Sequence, residues 1–117
     1  MKNIDKKVLN ILKNKTKIVE KIIKESVIEK TVCDYAISKG WLCYKFTSPS
    51  NRAVPDRIFI RNSIVLMIEF KAFGKNLTKL QLKIAGEIQS EGIRVFKCNT
   101  IEKGKLIFNH FEKSKAK

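Results

Sequence analysis

The stretch from Asn51 to Phe73, NRAVPDRIFIRNSIVLMIEFKAF, constrains this chain more than any other. It holds two apolar runs, Asp56–Ile60 and Ile64–Lys71, on either side of a short polar turn. Runs of this length, rich in isoleucine and valine, predict a β-hairpin. Three of its charged residues stand out in segments that would otherwise read as buried strands. Asp56 heads the first run behind Pro55, and Glu69 and Lys71 lie at the end of the second. If the hairpin turns on Asn62 and Ser63, Arg61 pairs with Ile64, Ile60 with Val65, Ile58 with Met67 and Asp56 with Glu69. Directly paired residues face the same side of a sheet, and Lys71, two residues beyond Glu69, shares that side. A loop one residue longer or shorter would offset the pairing.

Such a cluster is costly on its own. Two carboxylates a few ångströms apart repel, and one tends to keep a proton. A hard divalent cation, Mg²⁺ or Mn²⁺, removes that cost by taking carboxylate oxygens, water and a substrate phosphate together. Metal-assisted hydrolysis of a phosphodiester is the chemistry this arrangement fits. A lysine beside it orients the attacking water or stabilises charge developing on the phosphate. The plain alternative is two exposed residues on an edge strand and a Pro-Asp turn. Both are common where 31% of residues are charged.

The rest of the chain frames the hairpin. Asn3–Lys24 has roughly helical periodicity among many lysines. Ser26–Lys39 reads as a helix ended by Gly40, with Glu29, Val32, Cys33 and Ala36 on one face. Trp41–Thr47 reads as a strand and Ser48–Pro55 as a loop. Thr78–Ser90 is predicted helical, Ile93–Cys98 a strand and Thr100–Lys113 a last helix interrupted by Gly104. The order α, α, β, β, β, α, β, α predicts one α/β domain, a mixed sheet flanked by helices. At 117 residues the chain has the length of a single domain.

Net charge is +14, from 25 Lys and Arg against 11 Asp and Glu. That excess points to a polyanion such as DNA or RNA, with a generally lysine-rich surface as the alternative and a basic helix on a membrane surface as a third reading. No apolar run reaches the ~18 residues of a membrane-spanning helix. The first residues lack the apolar core of a signal peptide. An intracellular, cytoplasmic protein is expected. Cys33, Cys43 and Cys98 show no metal or redox spacing and read as buried reduced thiols.

Pro55–Asp56 followed by Glu69-Phe70-Lys71 resembles the PD-(D/E)xK nuclease superfamily. The wider pattern, ESVIEKTVCDYAISKGWLCYKFTSPSNRAVPDRIFI and then IEFKAFGKNLTKLQ, is similar to the VRR-NUC family, especially its small stand-alone phage-encoded members. The resemblance runs from Glu25 to about Ile101. It implies a restriction-endonuclease-like fold over 25–117, with 1–24 as a basic helical extension. It also implies a Mg²⁺- or Mn²⁺-dependent, structure-selective DNA endonuclease. Asp56 and Glu69 would bind metal with the Phe70 carbonyl, Lys71 would be catalytic, and Gln81 would be the motif glutamine. Gln81 also fits a capping box with Thr78. The helix acid is Glu25 or Glu29. Glu29 is preferred, because it lies eleven residues before Gly40, as in related archaeal junction resolvases.

Lys45, Arg52, Lys75, Lys79 and Lys83 are candidate phosphate contacts, and Trp41 and Tyr44 are read as core or strand-packing residues. The resemblance further implies a homodimer acting on branched DNA, Holliday junctions foremost. A non-catalytic nucleic-acid-binding module on the same fold is the alternative. Segment 1–24 covers the core, joins a dimer or forms a basic arm on DNA.

Overall fold

A computed structural model describes Lys7, Asn10 and residues 22–114. Helix α1 spans Glu25–Ser38, followed by strands β1 (Leu42–Lys45), β2 (Arg57–Arg61) and β3 (Ile64–Phe70). Helix α2 (Lys79–Ser90), strand β4 (Arg94–Cys98) and helix α3 (Ile101–Ser114) complete the chain. One sheet has the order β1-β2-β3-β4. The first three strands are antiparallel, whereas β3 and β4 are parallel. A parallel pair needs a crossover, and α2 supplies it. The α/β fold class read from the sequence is the one observed. The helical reading of Asn3–Lys24, and its treatment as an extension, fall almost wholly outside the described residues.

The hairpin has the expected register: Arg61 lies opposite Ile64, Ile60 opposite Val65 and Ile58 opposite Met67. Its turn puts Asn62 at φ 50° and Ser63 at φ 67°. Two consecutive left-handed residues form a type I′ turn, whose twist matches that of paired strands. At the other end of α1, Gly40 adopts φ 96°. Its N–H donates to Ile37 O at 2.9 Å, and Trp41 N–H donates to Ala36 O at 3.0 Å. This Schellman closure turns Trp41 into the core.

Alternation along the strands gives the sheet two different faces. One carries Phe59, Leu66, Ile68, Phe70 and Cys98 against Ile28, Val32, Cys33 and Ala36 of α1 and Phe108 and Phe111 of α3. Burying each large side chain here contributes roughly 1.5–3 kcal/mol. Gly104 lies where α3 crosses α1, and a Cβ there would overlap both γ-methyl carbons of Val32. The glycine that looked like a helix interruption is the residue that lets two helices meet.

The opposite face carries Ile58, Met67 and Glu69, with α2 seated towards β4. It leaves the β1 end open. Trp41 is core as expected, edge-on to Phe108 with ring centroids 5.2 Å apart. Tyr44 is not: it is 55% exposed, because it points to the open face of an edge strand.

Candidate active site

Asp56 is the residue just before β2. Its carbonyl accepts a hydrogen bond from Phe46 N–H at 2.8 Å, which pins the end of β1 to the start of β2. Its Oδ2 accepts from Phe70 N–H at 2.8 Å. The carboxylate is therefore fixed to the neighbouring strand beside Glu69. Glu69 is buried at 6% exposure. Its Oε2 accepts from Gln81 Nε2 at 3.1 Å, across from the first turn of α2. Gln81 is itself held by a capping box. Thr78 N–H donates to Gln81 Oε1 at 2.9 Å, and Gln81 N–H donates to Thr78 Oγ1 at 3.1 Å. The capping box foreseen for Gln81 and its hydrogen bond to Glu69 coexist in one rotamer.

Lys71 continues the pairing of β3 with β4 through its N–H to Cys98 O, at 3.0 Å. It follows Glu69 on the same face by strand alternation. Burial pushes the Asp56 carboxyl above its ordinary range, opposed by the Phe70 amide and by the charges of Lys45 and Lys71. Burial, then repulsion from Asp56, pushes Glu69 up to about 7, with Lys71 opposing. Glu25 and Glu29 add to the rise at Glu69.

Glu29 stands apart from this pair. Its Oε2 accepts from Arg57 Nε at 2.7 Å. Arg57 lies opposite Ile68 and so faces the α1 side of the sheet, whereas Asp56 and Glu69 face the other. The structure thus ties Glu29 to a cation, although its field still reaches both acids. Among the described residues no three acid, histidine or cysteine side chains converge as a ready-made cation site. The oxygen set on the Glu69 face is a carboxylate pair, each with one oxygen tied to a donor. Hard oxygen donors whose burial disfavours the bare anion suit Mg²⁺ or Mn²⁺. Phe70 has its ring in the core and its amide on Asp56.

Of the candidate phosphate contacts, Lys45 and Arg52 line a cleft of about 370 Å³ that reaches Asp56. Lys75, Lys79 and Lys83 are exposed around and along the start of α2. None of these five forms an ion pair among the described residues. Sequence reasoning missed Lys97, the β4 partner of Glu69, whose Nζ lies 3.4 Å from Asn76 Oδ1. A charge inside the apolar run IRVFKC was the available signal, the same one that marked Glu69. It also missed Arg57 as the partner of Glu29. The thiols are free, Cys33 and Cys98 buried as expected. Cys43 is only half-buried, and a hydrogen bond from Cys33 holds its thiol down to about 7 against the effect of burial.

A solved structure described as a VRR_NUC domain matches this fold with a TM-score of 0.69, over 74% of this chain and 96% of that one, at 17% identity. The fold is that of the VRR-NUC domain, as the sequence resemblance implied. No family model matches the chain. A curated phage protein, "Putative nuclease p44" of Acyrthosiphon pisum secondary endosymbiont phage 1, is 38% identical over 64 residues, or 54% of this chain and 69% of the relative. The chain belongs to the family of that phage protein. No helix among the described residues is long and apolar enough to cross a membrane.

Proposed function

We propose that this protein is a Mg²⁺- or Mn²⁺-dependent endonuclease that hydrolyses phosphodiester bonds in branched DNA. The observation that carries the reading is the meeting of Asp56, Glu69 and Lys71 at one end of one hairpin, with both acids held above their ordinary range by burial. Buried paired acids are expensive in a structural role and useful in a catalytic one. The relative's name, the VRR-NUC fold and the +14 charge support the same reading.

Asp56, Glu69 and the Phe70 carbonyl would hold the metal, and Glu29 would join them only on release from Arg57. A bound divalent ion supplies charge on the phosphate and a more acidic water. Phe70 N–H and Gln81 Nε2 fix the two carboxylates in orientation. The Lys71 ammonium, on the same face, stabilises charge that develops on the phosphate. Holliday junctions are the leading substrate. A two-fold homodimer would present two sites to such a junction, which needs two cuts.

A labelled four-way junction incubated with Mn²⁺ tests the reading. The wild type is expected to cut it, while Asp56→Asn and Lys71→Ala keep DNA binding and lose cleavage by at least about a hundredfold. Binding without cleavage of any branched DNA, with either metal, would make the chain a non-catalytic module. Sedimentation of the full chain, alone and on the junction, tests the dimer.

A further inference from the structure

The cleft beside Asp56 has a chemistry that the catalytic reading does not use. Its cations, Lys45 and Arg52, have no acidic side chain in ion-pair contact among the described residues, and the only acid in its lining is Asp56. Thr47 and Ser48 add hydroxyls, while Phe46 and Val54 add apolar wall. Cations for a phosphate, hydroxyls for polar edges and an apolar wall for a base together match one nucleotide.

The walls are also set in advance. Asn51 Oδ1 accepts from Ala53 N–H at 3.1 Å, and Asn51 N–H donates to Ser48 O at 3.2 Å. Ala53 and Pro55 are buried, so the loop between β1 and β2 is anchored at its far end. At about 370 Å³ the cleft has room for a nucleotide but not for a base pair. A base inside it must give up its pairing partner. Extrusion costs least where the base is already unpaired.

We propose that this cleft, with Lys45 and Arg52 on the phosphate, is a subsite for one unpaired nucleotide adjoining the bond to be cut. The inference rests on the nuclease reading and deepens it. Selectivity for branched DNA then comes from this subsite: a flap offers an unpaired nucleotide next to a phosphate, the exchange point of a four-way junction offers one whose pair opens more readily, and continuous duplex offers neither.

The test uses the full chain in EDTA, with flap and four-way-junction DNA carrying 2-aminopurine at the branch nucleotide. Binding is expected to raise its fluorescence, and Arg52→Glu is expected to abolish the rise and weaken binding by about tenfold. Lys105→Glu, which makes the same charge change on α3, where its ammonium lies over the Tyr35 ring on the other side of the sheet, should keep the fluorescence rise. An unchanged signal with wild-type protein bound, or equal affinity for continuous duplex of the same length, overturns the subsite. The two readings fail separately. Duplex cut as fast as branched DNA would sink the subsite and leave the nuclease. A fluorescence rise without cleavage in Mn²⁺ would do the reverse.

Discussion

Glu69 links the stability of the protein to the proposed chemistry. Its folded-state pKa of about 7 stands above the ordinary 4.5, chiefly through burial. The folded chain therefore binds this proton more tightly than the unfolded chain does. The contribution is complete below about pH 4.5 and is lost as pH rises towards 7. The loss is on the order of 3 kcal/mol. In EDTA, wild-type stability by urea unfolding is expected to fall across that window, and Glu69→Gln should remove most of the fall. Equal slopes for the two proteins would overturn the assignment. Adding Mn²⁺ should restore wild-type stability most at the alkaline end, where the carboxylates are already free of protons. Glu69 was legible in the sequence because a charge in an apolar run is conspicuous. The Glu29–Arg57 pair was not. Helical spacing shows which residues share a face of α1, but not which side of the sheet that face meets.

Helices and strands decide how well those side chains are placed. The β2–β3 turn was readable because polar residues interrupt two apolar runs, and the register follows from turn length. Ser63 nonetheless sits at φ 67°, a region that costs a residue with a Cβ. Ser63→Gly should stabilise the protein by about 0.5–1 kcal/mol without altering the register, since glycine adopts this φ freely. Denaturant titration checks the gain. A loss of stability would mean that the serine hydroxyl makes a contact worth more than the relief of strain. The strand expected over Trp41–Thr47 is shorter, Leu42–Lys45. Aromatic content predicted its extent, but pairing with β2 ends where the chain leaves to form the cleft loop. α2 was legible as a helix. The resemblance put Gln81 of its first turn at the site, but no sequence pattern announced the parallel β3–β4 pair that brings it to Glu69.

At the scale of the molecule, the sheet divides the protein into a packing side and a side that carries the candidate site. α1 and α3 cover the first, and α2 covers only part of the second, so Asp56 and the cleft stay accessible. The fold class was readable from the order of elements, whereas the closeness of α1 and α3 was not. Gly104 lowers helix propensity, and its reason lies in a helix distant in sequence. Gly104→Ala is expected to cost about 1–3 kcal/mol by overpacking against Val32. Val32→Ala should cost stability alone and recover part of the loss when combined with Gly104→Ala. Additive costs in thermal unfolding would exclude the shared contact. Positions 32 and 104 therefore occupy one volume between them. In chains that keep this helix crossing, the two sites should drift together, a larger residue at one answered by a smaller residue at the other. The trace of the crossing would be a covarying pair rather than a fixed glycine.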